Sequence, residues 1–174
     1  MTMKYFNKIY PTAMSIQVSN DAQNWTTIKD LTSTNNGPTY PVVKETFETA
    51  YAARYVRLFF DELNTAAAGN GVGVIEWEIQ GIALAGLTLK SVEAVADVEA
   101  AAGTAAADLA LPKFVKVVLD HASAEDQEVL VPVAWDLSAY DGTAGTSEIE
   151  GTLNLPKSVT VENAKVTVNV IVGE

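Results

Sequence analysis

The chain of 174 residues carries 22 acidic against 11 basic side chains, a formal charge of −11, and is 48% hydrophobic with no cysteine. That apolar content excludes a disordered tail as the main content, and the acidity disfavours nucleic acid as a partner through repulsion from phosphate. The lack of cysteine removes disulfides, thiolate chemistry and Cys-ligated zinc together.

The opening residues, Met1 to Phe6, have no long apolar stretch followed by a small-residue cleavage site. The longest nearly apolar run, Gly81 to Leu89, is less than half of the roughly 20 residues needed to span a bilayer. No secretion signal, membrane anchor or membrane partner is expected from these residues. Charge divides the chain: residues 1–84 hold 6 basic and 8 acidic groups (6 − 8 = −2), residues 85–174 hold 5 and 14 (5 − 14 = −9). The composition predicts a first domain over 1–82, a linker over 83–90 and a second domain over 91–174.

In chain order, Met14 to Ser19 alternates, turn formers fill Asn20 to Asn24, and Trp25 to Ile28 returns as the second arm of a hairpin. Thr32 to Pro41, with Asn35-Asn36-Gly37-Pro38, reads as a loop. Phe47 to Ala52 leads into Ala53 to Phe60, where Val56, Leu58 and Phe60 share one face and Tyr55, Arg57 and Phe59 the other. Val74 to Gly81 is a second such run, and the two are expected to be neighbouring core strands. The Ala-, Gly- and Asn-rich stretch Asn64 to Gly73 between them is a flexible excursion, the kind of loop that carries binding sites.

Beyond the linker, Val92, Val95 and Val98 recur at a helix-like spacing, but Gly103-Thr104 follows at once and everything later has strand periodicity. Phe114 to Leu119, Val129 to Trp135, Ser147 to Leu153 and Lys165 to Val172 are predicted strands, joined by turns at Asp120 to Asp126 and Tyr140 to Thr143. Short strands spaced by polar turns predict an all-β chain of two β-sandwiches.

Ser19-Asn20-Asp21 with Asn24-Trp25, then Ala53-Arg54-Tyr55-Val56-Arg57-Leu58, then Ile75-Glu76-Trp77-Glu78-Ile79-Gln80-Gly81, resembles the discoidin-like (coagulation-factor type C) family over about Tyr10 to Ile82. The resemblance implies an incomplete jelly roll of the branch used as carbohydrate-binding modules, with its first strands missing. It implies a glycan as ligand and an extracellular or bacterial cell-surface setting. It also implies that residues 1–82 are completed by an upstream fragment or a second copy, since an unfinished sheet would leave apolar faces and edges in water. In the sugar-binding branch a structural calcium ion is held partly by a glutamate opening the final strand, and Glu76 matches that position.

Gly103-Thr104, Leu111-Pro112, Val131 to Asp136, Tyr140-Asp141, Gly145-Thr146 and Ile149 to Leu153 look like a bacterial immunoglobulin-like repeat, a spacer without catalysis found in large extracellular glycosidases and surface proteins. The function implied is a non-catalytic accessory region, glycan-binding module plus spacer. The alternative is a structural stalk or adhesin segment with no ligand of its own.

Among individual residues, Trp25, Trp77 and Trp135 read as core packing rather than sugar platforms. Arg54 and Arg57 read as structural ion-pair partners within the sheet, against a role gripping a carboxylate or sugar hydroxyls. Asn64 and Asn70 are the candidate ligand-binding residues, their amides able to donate to and accept from sugar hydroxyls, and Glu76 is the candidate metal ligand. Glu78 joins Glu76 at i and i+2, but a glycosidase pair is not expected. His121 is a turn residue with no serine or cysteine motif around it. With no nucleophile, base and orienter set in view, the chain reads as not an enzyme.

Overall fold

A computed structural model describes residues 2–5, 11–32, 42–63, 73–121, 125–161 and 164–173. The chain is nearly all β and divides into two compact units, residues 1–48 with 54–83, and residues 49–53 with 84–174.

The first unit holds β1 (Thr2–Tyr5), β2 (Pro11–Ser19), β3 (Thr26–Thr32), β4 (Val42–Lys44), β6 (Tyr55–Leu63) and β7 (Val74–Glu78). They form two three-stranded sheets, ordered β4-β1-β7 and β3-β2-β6. Met14, Ile16 and Leu31 form a buried cluster, against which pack Val56, Leu58 and Phe60 of β6 and Val43 and Trp77 of the other sheet. The period-2 face of β6 is therefore the core face, as its sequence predicts.

The two organising runs are not neighbours, however. β6 pairs antiparallel with β2 from Ser19↔Tyr55 to Pro11↔Leu63, whereas β7 pairs with β1, Thr2↔Glu78 to Tyr5↔Val74. Both feed one apolar cluster from different sheets. Two strands sharing a core need only matching apolar faces, and periodicity carries that information without naming the hydrogen-bonded partner.

The second unit holds β5 (Ala50–Tyr51), β8 (Thr88–Val92), β9 (Val98–Ala100), β10 (Phe114–Asp120), β11 (Gln127–Trp135), β12 (Gly145–Leu153) and β13 (Lys165–Val172), with a 3-10 turn at Ala106–Asp108. The Val92/Val95/Val98 spacing falls on β8, β9 and the link between them, and no helix forms there. Strand order is β8-β10-β11-β12-β13-β9, with β5 added in parallel to β11 at Val129↔Ala50 and Leu130↔Tyr51.

β11 serves two ladders. Its first part pairs with β10 up to Phe114↔Pro132, and Val133 to Trp135 pair with β12. Pro132 has no N–H to give, which suits the strand's crossing from one ladder to the next. Its carbonyl still accepts from Asn154 N–H at 2.8 Å, and the next N–H, on Val133, donates to Lys113 O at 3.1 Å. Alternation buries Val115, Val117 and Leu119 from β10 and Val168, Val170 and Val172 from β13. These line two apolar clusters, and Trp135 packs against both while its Nε1–H donates to Pro112 O at 2.8 Å. The arrangement is a β-sandwich.

Phe47 to Ala52 reads by sequence as a lead-in to β6, yet residues 49–53 group with the second unit. Ala52 is fully buried there, beside Leu87, Val117 and Val131, and its N–H donates to Leu130 O at 2.9 Å.

Candidate binding face

The loop joining β2 to β3 is built by its own polar side chains. Asp21 Oδ1 accepts the backbone N–H groups of Gln23 (2.8 Å) and Asn24 (2.7 Å), and Oδ2 accepts from Asn24 Nδ2 at 2.7 Å. Ser19 donates its hydroxyl to Asp21 Oδ1 and accepts from Ala22 N–H at 2.9 Å. Hydrogen bonds to the charged form favour it, so Asn24, first through its backbone and then its side chain, with Gln23, holds the Asp21 carboxyl far below the usual carboxylate range. Asn20 Oδ1 accepts Arg54 N–H at 2.7 Å, fastening the loop to the start of β6.

Within this loop Ala22 has φ 62°, the left-handed conformation, which a Cβ disfavours. Ala22 is exposed, so its side chain has little packing to lose. Ala22→Gly is expected to raise stability by about 0.5–1 kcal/mol, read by urea denaturation, because the relieved strain exceeds the added chain entropy of glycine. A loss of stability would show that the φ is not strained.

Outside the core, the odd-numbered residues of β2 and β6 face away from Met14 and Ile16. Gln17 is the centre of this face. Its Nε2 donates to Ser15 Oγ (3.0 Å) and Thr27 Oγ1 (3.2 Å), which turns Oε1 toward β6, where it accepts from Arg57 Nε at 2.8 Å. The guanidinium lies over the Trp25 ring at 4.1 Å and over the Phe59 ring at 4.9 Å. Such cation–π contacts contribute about 0.5–1 kcal/mol each at exposed sites. Trp25 also donates Nε1–H to Ala22 O at 3.2 Å, and Arg54 lies 5.1 Å from the Tyr55 ring centre.

Two expectations are corrected here. Trp25 is not a core residue: it sits half-exposed on the outer face, because an extra residue in β3 changes the alternation. Ile16 pairs with Lys29 and Gln17 with Thr27, skipping Ile28, and this bulge turns Trp25 away from the core. Arg54 and Arg57 form no ion pair with a carboxylate among the described residues; aromatic rings and the Gln17 amide take that place. Trp77 and Trp135 do pack as expected, although among the described residues the buried Trp77 Nε1 has no hydrogen-bond partner.

Asn64 and Asn70 lie outside the described residues. Glu76 is exposed on β7, and Glu78 on the same strand face accepts from Gln80 Nε2 at 2.9 Å. Calcium needs about 6–8 oxygen ligands. Among the described residues no group of three or more His, Cys, Asp or Glu side chains could hold a metal ion. His121 follows β10 and is half-buried.

Sequence reasoning did not assemble Gln17, Trp25, Arg57 and Phe59 into one face. The signal was present: Ser15-Gln17-Ser19 and Tyr55-Arg57-Phe59 occupy the off-core positions of two strands, where a plainly solvated face would carry short polar and charged groups instead of aromatic rings.

The family model of the F5/8 type C domain matches residues 3–76, which takes in β2 to β6, most of β1 and this entire face. That family consists of binding modules, not catalysts. Neither a curated protein nor a solved structure matches the chain.

Proposed function

We propose, from the F5/8 type C match over residues 3–76, that the first unit is a non-catalytic ligand-binding module whose ligand is a glycan, and that the second unit is an immunoglobulin-like spacer. The setting in this reading is the outside of a cell. The observation that carries it is the outer face of the β3-β2-β6 sheet, where the Arg57 guanidinium lies against the Trp25 and Phe59 rings and is positioned by the hydrogen bond it donates to Gln17. Aromatic rings with a planar polar group beside them offer a sugar both an apolar surface and hydrogen bonds. The alternation of the second unit's strands around two apolar clusters, with Trp135 packed against both, supports the spacer reading.

A glycan array probed with the full chain, followed by calorimetric titration of any hit, tests the proposal. Saturable binding that weakens when Trp25 or Phe59 is replaced by alanine is the expected result. Flat responses across neutral, amino-sugar and acidic glycans would leave the first unit as a structural element without a ligand.

A further inference from the structure

The binding-module reading above says nothing about which sugars the face takes, and Arg57 bears on that question. A guanidinium has five N–H donors in one plane. One of Arg57's, on Nε, goes to Gln17 Oε1, and those on the two terminal nitrogens meet no acceptor among the described residues, nor does any carboxylate pair with them there. The two rings cover the guanidinium at 4.1 and 4.9 Å and leave its terminal fork as the part able to receive a partner.

Several features hold the fork ready before any ligand arrives. The Gln17 amide cannot turn without breaking its bonds to Ser15 and Thr27, and Ser15 is itself only 2% exposed in the central strand. The Trp25 and Phe59 rings beside the guanidinium carry no competing charge and no acceptor for its terminal N–H groups. A fork of two parallel N–H groups matches the two oxygens of a carboxylate in both spacing and plane. Phe59 is 42% exposed and Trp25 half-exposed, so apolar ring surface lies beside the fork for the C–H face of a sugar.

We infer that this face binds acidic saccharides, with the carboxylate of a uronic acid-type sugar received by the Arg57 terminal fork and its ring laid against Phe59 and Trp25. This inference rests on the binding-module reading and narrows it to one ligand class. The chain's net charge of −11 does not forbid it. Residues 1–84 contribute only −2 of that charge.

The test is calorimetric titration of the full chain with a short uronic acid oligomer and with the same oligomer after reduction of its carboxyl groups. The acidic form should bind more tightly by about tenfold or more, the worth of a charged hydrogen-bonded contact. Arg57→Gln should abolish that preference. Because Arg57 also braces the sheet, Gln17→Glu supplies a second arm: it places a carboxylate against the guanidinium from within and should erase the preference while the thermal unfolding curve is retained.

Equal affinity for the acidic and reduced oligomers would overturn this inference and leave the glycan reading intact, as would competition by inorganic phosphate as effective as that by free uronic acid. An unchanged preference in both variants would place the acidic site elsewhere and overturn it too. A flat array together with no binding of either oligomer would remove the binding-module reading itself.

Discussion

Gly151→Ala is expected to destabilise the second unit by about 1–3 kcal/mol, the range for overpacking a close-packed interior. Gly151 lies opposite Trp135 in the β11–β12 ladder. A Cβ on Gly151 would stand 2.7 Å from Trp135 Cε3, 2.7 Å from Trp135 Cζ3 and 2.7 Å from Val133 Cγ2, well inside van der Waals contact. The indole cannot simply move aside, since its Nε1–H is committed to Pro112 O and its ring packs against both apolar clusters. Urea denaturation followed by far-ultraviolet circular dichroism measures the loss. In a Trp135→Leu background the same alanine should cost much less, because the ring it strikes is gone. An equal cost in both backgrounds would mean that the clash is not with Trp135.

Ala52→Asp should have a larger effect, about 3 kcal/mol or more at neutral pH, because it places an unpaired carboxylate in an apolar interior. Ala52 has 0% exposure and belongs to the buried cluster that includes Leu87, Val115, Val117 and Val131. Burial would raise the folded-state pKa of the new carboxyl above its unfolded value near 3.9. A raised value means the neutral acid is the better tolerated form, so the loss should be smallest below about pH 4 and grow as the pH rises toward the folded value. Hydrogen exchange gives the location: amides of β10 and β11 should lose protection in the variant. Protection lost only in β2 and β6 would contradict the assignment of Ala52 to the second unit.

The alternation of Val115, Val117 and Leu119, and of Val168, Val170 and Val172, was legible in the sequence because each strand has one apolar face and period 2 has no competing reading. β6 was legible for the same reason. The pairing of β6 with β2 and of β7 with β1 was not, since alternation reports which way a side chain points and not which strand lies alongside. Thr2–Tyr5 and Val42–Lys44 are too short to show a period, and Ala50–Tyr51 has only two residues, so β1, β4 and β5 left no pattern to read.

The binding face was half-legible. Arg57 and Phe59 could be placed off the core from β6 alone, but Trp25 required the bulge at Ile28. Counting back from Leu31, an unbroken alternation puts Lys29, Thr27 and Trp25 all on the core side. The extra residue turns Thr27 and Trp25 outward, where Thr27 meets Gln17 and Trp25 meets Arg57. A single inserted residue thus decides whether the loop's tryptophan serves packing or recognition, and composition cannot reveal it.

The five residues Thr49–Ala53 give this chain an unusual anatomy. Each unit is assembled from two separate stretches, so the chain passes from one unit to the other after residue 48, again after 53 and a third time after 83. No single cut in the polypeptide can release either unit whole. A protease acting at the composition boundary near Ala83 would leave β5 on the wrong fragment, still in place beside β11 by hydrogen bonds and apolar contact but no longer by a covalent link. Such a nicked chain would hold together as two non-covalently associated pieces until denaturant separated them.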